Sequence, residues 1–124
     1  MRLFIFFLIL FAVCSSSYSV SDDPNKLEGT WQVDLRPTPE SEPYFKDFEI
    51  TLAGENSFNG KFYDTEFSGG LLNSDWSKIY FGFTTNDMSG KYFHSGYLNN
   101  DTLFGMTYSE GRSFVMPWLA VRKK

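Results

Sequence analysis

The chain of 124 residues is poor in the residues that most often carry chemistry, with one cysteine and one histidine. A single cysteine cannot form an internal disulfide, and one histidine without a second cysteine does not make an ordinary zinc site. Its 11 Lys and Arg against 15 Asp and Glu lack the basic excess with which proteins bind nucleic acid. We therefore expect no metal, no cofactor and no nucleic-acid partner.

The sequence also lacks an apolar run long enough to cross a membrane as a helix, which needs about 20 residues. Its one sustained run, residues 3–13, has 11 apolar residues and follows Met1-Arg2. A basic start before a short apolar run is typical of a signal peptide. We expect the protein to be exported, and to be secreted, periplasmic or held at the cell envelope by a lipid.

Two processing sites follow the apolar run, and the sequence leaves both open. Small residues at Ser17 and Ser19 allow cleavage after Ser19. Alternatively, Cys14 followed by serines resembles a bacterial lipoprotein signal, which implies lipidation of Cys14 and a membrane contact through that lipid anchor alone. The predicted organisation is a signal peptide at 1–19, a short polar tether at 20–26 and one domain at 27–124.

The rest of the chain reads as consecutive β-strands. Aromatic residues make up 19% of the sequence, and turn residues recur every eight to twelve positions. In Phe48-Glu49-Ile50-Thr51-Leu52 apolar and polar residues alternate, as in a half-buried strand. The pattern predicts an all-β fold, a single up-and-down antiparallel eight-stranded barrel, with a two-sheet sandwich as the alternative. The predicted strands are 29–36, 45–53, 57–64, 66–72, 76–85, 90–98, 102–109 and 112–122.

The first predicted strand opens with Gly29-Thr30-Trp31. This Gly-x-Trp resembles the start of the calycin barrels, the group that contains lipocalins and avidins. The resemblance implies that Trp31 packs across the closed end of the barrel and that an arginine near the last strand stacks on it. Arg122 is the first candidate for this arginine and Arg112 the second. The long connection at 36–44 then corresponds to the lid that lipocalins place over the open mouth.

No catalytic constellation is visible, because the serines near glycines do not form Gly-x-Ser-x-Gly and His94 has no predicted partners. We expect an exported, non-enzymatic lipocalin-like protein that binds a small apolar or aromatic ligand. The alternative is a structural or interaction protein of the cell envelope with a packed barrel, since many predicted inward residues are bulky. A cavity of about 300 Å³ or more would favour ligand binding. The candidate ligand-binding residues are Trp31, Tyr92, His94, Trp118 and Arg122.

The last predicted strand is apolar on both faces over residues 113–121. In a single-layer barrel one face of such a strand points outward, and a large exposed apolar face marks an interaction site. We expect this face to contact the tether, a lid or another subunit, which makes self-association through 113–121 a further prediction. Pro117 lacks a backbone N–H and predicts a bulge or an edge at its position.

Overall fold

The structure, a computed structural model, describes residues 23–124, so the predicted signal peptide and Cys14 lie outside the described residues. These residues form a closed barrel of eight antiparallel strands in sequence order, which excludes the sandwich. The strands are β1 Gly29–Asp34, β2 Phe45–Leu52, β3 Ser57–Phe62, β4 Thr65–Asn73, β5 Ile79–Asp87, β6 Gly90–Asn99, β7 Thr102–Ser109 and β8 Phe114–Arg122.

The predicted strands all have counterparts, and the boundaries differ for local reasons. β5 begins at Ile79 instead of residue 76, because the backbone N–H of Asp75 donates to the Asn73 side chain at 2.9 Å and forms a turn. β4 contains one extra residue opposite β3, where the register shifts between Phe58 and Gly60. Gly69 takes a φ of 74° in this bulge, a conformation that favours glycine.

The described part of the predicted tether is ordered against the barrel. Pro24–Leu27 forms a short 3₁₀-helix, which begins where the Asp23 carboxylate accepts from the backbone N–H of Asn25 at 2.9 Å. Leu27 is fully buried, and its carbonyl accepts the indole N–H of Trp31 at 2.9 Å. This segment therefore covers one end of the barrel. Within residues 23–124, no helix combines the length and apolar character needed to cross a bilayer.

The half of the barrel next to this covered end is solid. Phe48 is fully buried and its ring contacts those of Phe62, Phe81, Phe83 and Trp118, with the nearest ring centroid, that of Phe83, at 4.9 Å. Edge-to-face and offset contacts of this kind add to the stabilisation from burying apolar surface. The predicted packed interior is thus present in one half of the cylinder.

The other end is open and its wall is looser. The pairing of β4 with β5 is limited to Leu71–Asn73 on β4 and Tyr80–Gly82 on β5. The parts of these two strands nearer the open end are not paired with each other. β1 and β8 pair no further toward this end than Asp34 and Leu119. Pro117 pairs with Met106 of β7 and lies beyond that last β1–β8 pair. Its side toward β1 is therefore a local edge, which is one of the positions where proline is found in a sheet.

A candidate binding pocket in the barrel mouth

A pocket of about 230 Å³ opens at the loose end of the barrel, and we call it the mouth pocket. This volume falls short of the cavity of about 300 Å³ that would favour a typical ligand site. The size criterion stated from the sequence is therefore not met, and only a small molecule fits. Its apolar walls are Leu35, Phe62, Phe114 and Met116. Its polar and mixed walls are Tyr44, Tyr63, Thr65, Thr85, Asp87, Tyr92, His94, Thr107 and Arg112.

On two strands, β5 and β7, the inward side chains become more polar toward the mouth. Along β5 the inward series runs from Phe81 and Phe83 to Thr85. Along β7 it runs from Leu103 to Thr107, both nearly inaccessible to solvent. The change from phenylalanine to threonine on β5 leaves space for the pocket on this side of the barrel.

The floor of the pocket is a hydrogen-bonded row centred on His94. Its Nε2 lies 2.8 Å from the Thr85 hydroxyl, and its Nδ1 lies 2.8 Å from the Thr107 hydroxyl. The indole N–H of Trp118 donates to the same Thr107 oxygen at 2.9 Å. The ring of His94 stacks on Phe83 with centroids 4.5 Å apart. Both ring nitrogens are therefore occupied, and the imidazole is held in one orientation.

His94 is neutral at physiological pH. It is 4% exposed, and its burial lowers the pKa to about 4 because the charged form loses hydration. Its hydrogen-bond partners are hydroxyl groups, which do not compensate a positive charge as a carboxylate would. A neutral imidazole between two threonines is suited to fixing hydroxyl orientation.

One wall of the pocket carries a positively charged side chain, that of Arg112. An Arg112 guanidinium N–H donates to the Tyr92 hydroxyl at 3.0 Å, and this hydrogen bond raises the pKa of Arg112. Arg112 lies in the turn before β8. In this turn the backbone N–H of Ser113 donates to the Glu110 carbonyl at 3.0 Å, and Ser113 adopts a φ of 54°. The guanidinium also lies over the Phe114 ring, 6.0 Å from its centroid.

The rim is formed by two tyrosines. The hydroxyls of Tyr44 and Tyr63 lie 2.6 Å apart, and this hydrogen bond raises the pKa of Tyr63. The Lys46 ammonium lies 5.6 Å and 5.0 Å from the centroids of these two rings. The rim thus ties the β1–β2 connection to the turn between β3 and β4.

The base of the β1–β2 connection is fixed by Asp34. Its carboxylate accepts from the Arg36 side chain at 2.7 Å and from the backbone N–H of Tyr44 at 3.2 Å. The Arg36 hydrogen bond is the main reason that the pKa of Asp34 is lowered. The backbone N–H of Leu35 also donates to the Tyr44 carbonyl at 2.8 Å. These contacts set Leu35 and Tyr44 in the pocket wall.

The five candidate residues from the sequence do not form one cluster. Tyr92 and His94 line the mouth pocket, and Trp118 lies behind them, bonded to Thr107. Trp31 and Arg122 lie at the covered end, where the guanidinium is 4.3 Å from the indole centroid. Arg122 also donates to the carbonyls of Glu28, at 2.8 Å, and Lys26. Stacking of Arg122 on Trp31 agrees with the geometry that the resemblance implies.

Several pocket residues were not among the sequence candidates. Thr85 and Thr107 lie opposite Tyr92 and His94 on neighbouring strands, which only the register reveals. The sequence offers Arg112 only as the second candidate to stack on Trp31, whereas its place just before the last strand indicates a residue of the mouth. Nothing in the sequence indicated the pairing of Tyr44 with Tyr63.

Residues 23–124 contain no group of three or more His, Cys, Asp or Glu side chains placed to hold a metal ion. No family model, curated protein or solved structure matches the chain. The structure therefore defines the class: an eight-stranded, up-and-down antiparallel β-barrel with one packed half and a small pocket in its mouth.

Proposed function

We propose that this is an exported, non-enzymatic, lipocalin-like protein that binds one small apolar or aromatic ligand in the mouth pocket. The observation that carries the proposal is the division of the interior, since one half is filled by aromatic rings and the other leaves about 230 Å³. An evolved interior that only supported the fold would gain stability by filling that space.

The pocket size fixes the expected strength of binding. A ligand that buries on the order of 200 Å² of apolar surface gains about 5 kcal/mol at 25 cal/mol per Å², before the cost of association. Aromatic contacts with Phe62, Phe114 and the tyrosine rings add to this term. We therefore expect weak binding, with dissociation constants in about the millimolar range.

The export of the protein and its resemblance to the calycin barrels belong to the same proposal. The apolar run at 3–13 supports export, either with cleavage after Ser19 or with a lipid on Cys14. Mass spectrometry of the mature N-terminus distinguishes the two. The Gly29-Thr30-Trp31 start and the stacked Arg122 support a calycin-like barrel.

The proposal predicts that filling the pocket abolishes binding. Thr65→Trp places an indole at the rim, whereas Thr84→Trp adds the same group to an exposed, outward position on β5. With indole as the neutral aromatic probe, we expect NMR shifts at Thr85 and Thr107 in the wild type and in Thr84→Trp, and none in Thr65→Trp. Equal shifts in both variants, or no binding by the wild type, would contradict the proposal.

A second candidate function, an envelope interaction protein, is favoured by the outer face of β6, β7 and β8. Six outward side chains there are 44–61% exposed, namely Phe93, Met106, Tyr108, Val115, Leu119 and Val121. Among the outward positions of these three described strands, Lys91 is the one charged residue. A face of this kind suits a second copy of the chain, because two charge-poor apolar sheets pack without desolvating ions.

This candidate predicts a concentration-dependent dimer that a charge disrupts. Leu119→Lys places an ammonium in the centre of the face, and Thr51→Lys adds the same charge on the exposed face of β2. We expect light scattering to show dimers for the wild type and for Thr51→Lys, and monomers for Leu119→Lys. A monomeric wild type at about 1 mM, a concentration where even weak pairs associate, would count against it.

A further inference from the structure

The row on the pocket floor has one more donor hydrogen than it can use. With neutral His94, the groups of Trp118, His94, Thr85 and Thr107 supply four polar hydrogens for three contacts. The indole N–H can only donate, so Thr107 accepts from Trp118. If the imidazole proton is on Nε2, the spare hydrogen belongs to Thr85, and if it is on Nδ1, the spare hydrogen belongs to Thr107. Both threonines line the mouth pocket, so either tautomer leaves a hydroxyl donor there.

The wall and the rim of the pocket also have polar hydrogens that are not used in these hydrogen bonds. The Tyr92 hydroxyl accepts from Arg112 and keeps its own hydrogen. The Tyr44 and Tyr63 hydroxyls share one hydrogen bond and hold two hydrogens between them. Arg112 retains further N–H groups, since a guanidinium has five. The mouth pocket thus offers several donors, and the one carboxylate among its lining residues is Asp87.

We propose that the mouth pocket selects ligands with an anionic, acceptor-only head group, and that its ligand is a small aromatic or aliphatic carboxylate. This inference rests on the proposed function and adds the chemistry of the ligand to it. The head group accepts from Arg112, from the Tyr92 hydroxyl and from the threonine hydroxyl on the pocket floor. The apolar body lies against Phe62, Phe114 and Met116.

The positions of the donors support a single head-group site. Thr85 and Tyr92 are directly opposed in the β5–β6 register, so their inward side chains are neighbours. Arg112 reaches the same tyrosine from the turn before β8. A carboxylate has about four lone-pair sites, which match donors arriving from three directions. Hydrogen bonds to a charged acceptor are also about twice as strong as those between neutral groups.

Asp87 does not turn the pocket into a cation site. One of its carboxylate oxygens accepts from the backbone N–H of Ser89 at 2.7 Å, within its own turn. Its negative charge also acts on Arg112 and favours the guanidinium's charged form. A ligand cation would be repelled by the Arg112 guanidinium, and Asp87 would be its one anionic partner among the lining residues. The pocket therefore discriminates by the positive charge of Arg112 together with the spare donor hydrogens.

The test compares three probes of similar size and different charge: the anion phenylacetate, the neutral phenylacetamide and the cation phenethylamine. Isothermal titration calorimetry of residues 20–124 at pH 7, with NMR shifts at Thr85 and Thr107 to locate the site, measures each affinity. We expect phenylacetate to bind about tenfold or more tightly than phenylacetamide, and phenethylamine to be weakest. Arg112→Gln and Tyr92→Phe should each reduce the preference for phenylacetate about tenfold or more.

Two controls keep the outcomes distinct. Lys78→Gln removes a positive charge far from the mouth, beside Tyr97 on the outer surface, and should leave the preference unchanged. Asp87→Asn should leave phenylacetate binding unchanged or tighter. If indole binds in the pocket but phenylacetamide or phenethylamine equals phenylacetate, the head-group inference is overturned while the proposed function stands. If neither indole nor any of the three probes binds, both are overturned.

Discussion

Gly60→Ala is expected to destabilise the barrel by about 3 kcal/mol or more, at the upper end of what overpacking costs. A Cβ atom at this position would lie 1.9 Å from the Glu49 carbonyl oxygen and 2.9 Å from the Phe67 ring. The carbonyl belongs to the neighbouring strand β2, where Gly60 pairs with Ile50. Because the obstacle is backbone, it cannot be removed by rotating a side chain, and β2 and β3 must separate.

Gly82→Ala is the matched control, since it is also a glycine within a strand. The nearest atom to its added Cβ would be the His94 carbonyl oxygen at 3.6 Å, an ordinary contact. We expect a change of less than about 1 kcal/mol in the free energy of unfolding, the span of strand propensities. Urea unfolding followed by tryptophan fluorescence measures both variants. Equal midpoints and slopes for the two would show that β2 and β3 are not in such close approach.

The stability of the wild type is expected to fall by about 3 kcal/mol between pH 7 and pH 4 through His94 alone. The pKa of this imidazole is about 4 in the folded protein, against about 6.5 in an unfolded chain. As the pH falls below 6.5, the unfolded state takes up a proton that the folded state does not, so folding is disfavoured. The loss begins near pH 6.5 and levels off below pH 4, where both states are protonated.

The effect can be isolated because His94 is the one histidine in the sequence. His94→Gln is expected to be less stable at pH 7 but to lose about 3 kcal/mol less than the wild type on going to pH 4. The carboxylates titrate alike in both proteins and cancel in this difference. The lowered pKa of Asp34 adds a loss of stability only as the pH falls below about 4. An NMR titration that places the His94 pKa near 6.5 would refute the assignment.

Local sequence patterns were sufficient for the fold. Alternation such as that of Phe48 to Leu52, together with frequent turn residues, located the strands of the barrel and their order. Strands can be located in this way because their successive side chains point to opposite faces. A half-buried strand therefore shows alternating apolar and polar residues in the sequence. Strand ends were less certain, since they depend on turns such as that at Asn73 and Asp75.

The candidate site depended on register, which local patterns do not encode. The sequence indicates Tyr92 and His94 as candidates, and both line the mouth pocket. Trp31 and Arg122, which it also indicates, lie at the opposite end of the barrel. Thr85, Thr107 and Arg112 complete the lining.

By itself, the sequence determined that the described chain folds into consecutive antiparallel strands with an apolar interior, because hydrophobic periodicity is a property of neighbouring residues. Only the tertiary structure decided which half of that interior is filled and which donors meet in the open half. Residues such as His94 and Thr107 are 13 positions apart along the chain, yet their side chains lie 2.8 Å apart. Contacts of that kind depend on the stagger of whole strands around a closed barrel.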